Sequence, residues 1–152
     1  MSDAPHARPT CFIKDMTLKD FFSQDRFARL AGAHLTTVRP GYAEAEMTVG
    51  PDVLNASGWL QGGALFTLAD LAFAAAVNTH GGLTVSADAH ITFCRSARPG
   101  DVLHAQATEL VAHHRLPYAE VRITDQDGRL VAHLTSRGYR KTDQAIDAEG
   151  LE

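Results

Sequence analysis

Residues 62–78 read GGALFTLADLAFAAAVN, an apolar stretch with one charged side chain, Asp70. An acid is rarely fully buried unless it is paired or used. The chemistry that suits it begins at the start of the stretch. If these residues form a helix, its first N–H groups have no intrahelical partner and carry about half a positive charge in sum. Gly62 and Gly63 have no side chains to keep a ligand from those donors. Donors fixed where a carbonyl oxygen turns negative make an oxyanion hole. A carboxylate nearby activates water or attacks directly. The pair points to acyl transfer, most simply hydrolysis of an activated ester. The plainer alternative is that Asp70 pairs with a buried donor or faces a groove, and that the glycines merely lead the chain into a helix.

Spacing adds a constraint. Asp70 lies eight residues beyond Gly62, roughly 12 Å along a helix axis at 1.5 Å per residue. Base and donor must each come within about 3 Å of the reacting atoms. One helix cannot easily do this, but two antiparallel helices side by side can. The spacing therefore predicts a homodimer with Gly62 of one chain facing Asp70 of the other.

The elements that must position these groups follow from the rest of the chain. Residues 1–15 read as a flexible tail with Pro5 and Pro9. TLKDFFSQDRFARLAGA has Thr17 as an N-cap candidate with Asp20 three residues on. Its apolar Leu18, Phe21, Phe22, Phe27, Leu30 and Ala31 fall at helical spacing, and Gly32 stops it. HLTTVRP and YAEAEMTV, split by Pro40-Gly41, read as a hairpin whose second strand alternates. PDVLNASGWLQ is a loop. The apolar helix runs from about 62 to 79 and ends at His80-Gly81-Gly82. Four strands follow: LTVSADAHITFCR, VLHAQATELVAHH, RLPYAEVRITD and GRLVAHLTSRGYRK, the last two joined at Gln126-Asp127-Gly128. Residues 142–152 read as a second flexible tail. A helix apolar on all faces must be covered on all sides. The expectation is one α+β domain over 16–141, with a long central helix wrapped by an antiparallel sheet.

Composition narrows the function classes. The 152 residues carry a net charge of −4 with no basic block, so nucleic acid is not expected. No membrane span is expected, because the apolar stretch is short and Asp70 interrupts it. Cys11 and Cys94 form neither a disulfide framework nor a zinc pattern, which suits a cytoplasmic protein. Asp88 and His90 share a strand face but are too few for a metal site, so no metal or cofactor is expected. Arg95, Arg98, Arg137, Arg140 and Lys141 read as solvated surface by default, some of them available to phosphates. Trp59 and Phe66 either shape an acyl pocket or pack in the core or at an interface. Thr67 and Asn78 either hydrogen-bond locally or line the site.

The pattern Asn55-x-x-Gly58-x-x-Gln61-Gly62-Gly63, then Leu68-x-Asp70, resembles the signature of hotdog-fold acyl-CoA thioesterases. It is most similar to their phenylacetate-degradation (PaaI-like) branch. Residues 85–93 (VSADAHITF) and Arg98-Pro99-Gly100-Asp101 share the resemblance, which extends over about 20–140. It implies a hotdog fold, a homodimer with a continuous sheet, often paired into a homotetramer, and acyl-CoA or aryl-CoA substrates. Asp70 would be base or nucleophile, and the Gly62 N–H would polarise the thioester carbonyl. Asn55 would orient water or the site loop, and Ser86 would face the nucleophilic water. Gln61, Gly63 and Thr67 would contact substrate. Gln61 stands where the family usually has histidine; its amide hydrogen-bonds but does not titrate. That substitution keeps a non-catalytic acyl-CoA binding module as the alternative. A hydratase would want a histidine beside the acid, where this chain has Gln61. No helix-turn-helix pattern supports a transcriptional sensor.

Overall fold

The computed structural model describes residues 16–146 and 148. The expected N-terminal tail, 1–15, lies outside the described residues, as do 147 and 149–152. Two short helices open the chain, α1 (Leu18–Ser23) and α2 (Arg26–Leu30). The hairpin follows as β1 (His34–Arg39) and β2 (Tyr42–Thr48), then a 3-10 turn at Pro51–Val53. The long helix is α3 (Gly62–Val77). After it come β3 (Gly82–Phe93), β4 (Val102–Val111), β5 (Tyr118–Thr124) and β6 (Leu130–Ala145).

The six strands form one antiparallel sheet in the order β1-β2-β4-β5-β6-β3, curved around α3. Strand periodicity explains which side faces the helix. Ala43, Ala45 and Met47 of β2 are buried while Glu44 and Glu46 between them are not. The register sets Ala45 beside Ala105 and Ala105 beside Ile123. Small side chains at the centre of the sheet let α3 lie close to it. The helix in turn buries Leu65, Leu68, Leu71, Ala72, Phe73, Ala75, Ala76 and Val77. A fully buried leucine or phenylalanine contributes roughly 1.5–3 kcal/mol, so this interface carries much of the fold's stability.

Two sequence expectations change. The single helix over residues 17–31 is two, because the Asp25 side chain accepts the Ala28 N–H at 2.9 Å and starts a new helix. The Thr17 cap is as expected, accepting the Asp20 N–H at 3.1 Å. The final strand runs past 141 to Ala145, which pairs with Gly82, and Ile146 then packs beside Leu18. The apolar Ile146 thus anchors part of what reads as a polar tail.

Strand β3 forms one edge of the sheet. Across residues 85–93 every side chain but Ile91 is exposed. A bulge in its ladder with β6 falls between Ser86 and Asp88.

Candidate active site

The loop before α3 is built by one side chain. The Asn55 Oδ1 accepts the N–H groups of Ser57 (2.9 Å) and Trp59 (3.1 Å), and the Asn55 N–H reaches the Trp59 carbonyl at 2.7 Å. Gly58 sits at φ 78°, a conformation that favours glycine. The loop is clamped below by Leu60 N–H to Ala97 O (3.0 Å) and Gln61 N–H to Val53 O (2.9 Å). The Asn55 side chain therefore orders this loop.

Gln61 is the N-cap of α3, and its Oε1 accepts the Gly63 N–H. The Gln61 carbonyl accepts Ala64 N–H at 3.0 Å and Leu65 N–H at 3.4 Å. Three of the first four helix donors are thus engaged. The Gly62 N–H has no hydrogen-bond partner among the described residues. Space above it is narrow, since a Cβ there would lie 3.1 Å from Phe93 Cζ. Gln61 and Gly63, expected as substrate contacts, are bonded to each other. The Thr67 Oγ1 donates to the Gly63 carbonyl at 2.8 Å, the local option for that residue.

Asp70 lies two turns along α3 and is half-buried. The Ser86 hydroxyl donates to its Oδ1 at 2.8 Å. Burial raises the Asp70 pKa above the ordinary 3.8; the Ser86 hydrogen bond opposes the shift, and the nearby charge of Asp25 reinforces it. A carboxylate held in this way is a better proton acceptor than a free one. The bulge after Ser86 accounts for its orientation, because a bulge re-aims the side chains beside it. Asp70 and Gly62 are not brought together within the chain: they stand on one straight helix, about 12 Å apart along it.

Space opens on both sides of the helix start. One side is a cleft of about 380 Å³ that includes Gly62, Phe93, Arg95 and Ser96. It shares Arg95 and Ser96 with a cleft of about 470 Å³ holding Trp59, Arg98 and Arg129. The Arg129 guanidinium is paired with Asp125 (2.9 Å) and Asp127 (2.7 Å). Arg95 and Arg98 make no ion pair among the described residues; Arg98 lies over the Trp59 ring at 5.2 Å. The other side is a cavity of about 340 Å³ beside Gly63 and Ala64, with Phe27 and Leu30 among its walls. The sequence pattern placed those two residues on the buried side of a helix, yet they are 68% and 79% exposed.

Arg140 is not solvated surface. It donates to Val77 O at 3.0 Å, Thr84 Oγ1 at 3.1 Å and His113 O at 3.3 Å, closing the C-terminal end of α3. Asp88 lies 3.9 Å from Arg137, and no group of three or more His, Cys, Asp or Glu side chains able to hold a metal occurs among the described residues.

The Thioesterase superfamily model matches residues 58–132, the span from the site loop through β3, β4 and β5 into β6. A relative from Archaeoglobus fulgidus is 33% identical over 81% of this chain and 80% of its own length. The acyl-coenzyme A thioesterase PaaI of Escherichia coli is 31% identical over 78% of this chain and 85% of its own. The chain belongs to the thioesterase superfamily. The solved structure of E. coli PaaI superposes with a TM-score of 0.79 at 30% identity, covering 84% of this chain and 91% of that one. A mutant of the phenylacetic acid degradation protein PaaI from Thermus thermophilus superposes at 0.74 and 32% identity, over 77% of this chain and 100% of that one. This thioesterase superfamily member is a PaaI-like hotdog protein and a thioester hydrolase.

Proposed function

We propose that the protein hydrolyses acyl-CoA or aryl-CoA thioesters at a site shared by two chains. The observation that carries this reading is a Gly62 N–H at the α3 start with no partner among the described residues, together with a proton-attracting Asp70 two turns away. The thioester carbonyl oxygen accepts the Gly62 N–H of one chain, which stabilises the negative charge that develops on it. Asp70 of the second chain takes a proton from water as the water oxygen adds to the carbonyl carbon. The tetrahedral intermediate collapses, the C–S bond breaks, and the CoA thiolate leaves and takes up a proton. The Ser86 hydroxyl holds the Asp70 carboxylate in place. Direct attack by Asp70 would instead form a mixed anhydride that water then cleaves.

The dimer is supported by β3. It is a 12-residue edge strand with exposed side chains, and an unpaired edge of that length is a template for another strand. Antiparallel pairing of β3 with the same strand of a second copy extends the sheet. Ser86 of β3 touches Asp70 of α3, so this pairing also brings the two α3 helices near each other. Arg95 and Arg98 are the cations we assign to the CoA phosphates: neither has a carboxylate partner among the described residues, Arg95 lines the cleft beside Gly62, and Arg98 lines the adjoining cleft. Thiol release from a panel of CoA thioesters tests the reading. The wild type should release CoA and Asp70→Asn should release it about 100- to 10,000-fold more slowly; equal release by both would remove Asp70 from the reaction.

A further inference from the structure

We infer that the cavity under α2 holds the acyl group, and that Phe27 and Leu30 set the length of acyl group it accepts. This rests on the thioesterase reading above and adds the orientation and size of the substrate. The cavity measures about 340 Å³, within the size range of small-molecule sites. Its walls are mostly apolar, Phe27 and Leu30 from α2 and Val53 and Leu54 from the 3-10 turn and its cap, with Ala64 of α3 at its base.

The polarity on the two sides of α3 fixes the direction. A carbonyl held at Gly62 has the apolar cavity on one side, beginning at Gly63. On the other side it has the cleft of Arg95, which leads to Arg98. An acyl-CoA has the same asymmetry, with an apolar acyl group on one side of the carbonyl and phosphates on the other. The reverse orientation would bury phosphates against Phe27 and Leu30 and a hydrocarbon against two arginines, which desolvates both wrongly.

The wall is held in place although its outer surface is exposed. Ala28, between the two large residues, is 2% exposed. Its N–H is capped by Asp25 at 2.9 Å and its carbonyl accepts the Ala33 N–H at 2.8 Å. The helix is thus pinned at Ala28 while Phe27 and Leu30 project beside the helix start. Two large apolar side chains this exposed, next to a catalytic donor, are explained by a ligand that covers them in turnover.

The test measures kcat and KM for straight-chain acyl-CoAs from acetyl to palmitoyl, and for phenylacetyl-CoA, with wild type, Phe27→Ala, Leu30→Ala and Leu30→Trp. Either alanine variant should raise KM for octanoyl-CoA and lower its kcat/KM by roughly tenfold or more, against less than about threefold for acetyl-CoA. Leu30→Trp should move the preference to shorter groups. Exposed positions tolerate these changes, and a thermal melt of each variant confirms folding. Equal shifts for all chain lengths, or no shift, would overturn the inference while leaving the thioesterase reading intact. A change of oligomeric state without a change of chain-length profile would also overturn it, by making α2 an interface. A wild type that cleaves no CoA thioester would overturn both.

Discussion

Asp70→Asn separates catalysis from folding. The substitution keeps the shape of the side chain, and its Oδ1 can still accept the Ser86 hydroxyl that now lies 2.8 Å away. What it removes is the proton-accepting carboxylate. A positioned general base contributes about 100- to 10,000-fold, which corresponds to roughly 3–5.5 kcal/mol on the barrier at 1.36 kcal/mol per decade. Because the Gly62 N–H is untouched, some residual activity should remain. Stability should move the other way. Burial raises the Asp70 pKa, so the folded state favours the neutral acid. Below the ordinary value of 3.8 the acid is protonated in both states and costs nothing. As pH rises from there through the raised folded value, the fold bears the cost of holding a half-buried charge. Asparagine never bears it. The variant should therefore melt higher than wild type at pH 7 and alike in strong acid. Turnover is read by thiol release on octanoyl-CoA and stability by thermal melts at the two pH extremes. Turnover within a factor of about ten of wild type would refute the reasoning. So would a lower melting temperature at neutral pH, which would make Asp70 a structural partner instead.

Ser86→Ala removes the hydrogen bond that opposes the rise of the Asp70 pKa. The acid limb of the kcat/KM profile should move to higher pH, and an unmoved limb would mean that another group titrates. Gln61→Ala deletes the N-cap of α3 and should cost about 1 kcal/mol in urea unfolding. Turnover should stay within about tenfold, because the Gln61 Oε1 is engaged by Gly63; a larger loss would restore Gln61 to the chemistry. Arg140→Ala leaves three carbonyl or hydroxyl acceptors without their donor and the buried Glu109 carboxylate without its nearest guanidinium. Unfolding free energy should fall by about 3 kcal/mol or more, and a fall under about 1 kcal/mol would show that His80 alone compensates Glu109.

Local features were legible in the sequence because they depend on near neighbours. The turn residues Pro40-Gly41 and Asp127-Gly128 marked the hairpins. The unbroken apolar run marked α3, and the lone acid within it stood out as the candidate base. Features that depend on direction in space were not legible. Helical spacing grouped Phe27 and Leu30 with the core, but a new cap at Asp25 restarts the helix and leaves both outside. Ser86 came from the resemblance alone; its bond to Asp70 crosses from strand to helix through a bulge that no local pattern announces. Arg140 looked like any surface cation, because nothing near it in sequence shows that the end of α3 packs against β6. Gln61 differed from the usual histidine in a visible way, but its work as a helix cap needed the backbone to be seen.

The central claim is that donor and base come from different chains, and complementation tests it directly. Gly62→Pro deletes the N–H donor at the first helical position, where proline is accepted. Gln61 at φ −73° and ψ 136° already has the extended backbone that a following proline requires. Phe93, 54% exposed, has room to swing from the ring. Each variant alone, Gly62→Pro or Asp70→Asn, should be nearly inactive as a homodimer. Refolded together in equal amounts, half the dimers are mixed and each has one intact site of two, so about a quarter of wild-type activity should return. No recovery from a mixture shown to contain mixed dimers would place both groups in one chain and contradict the account.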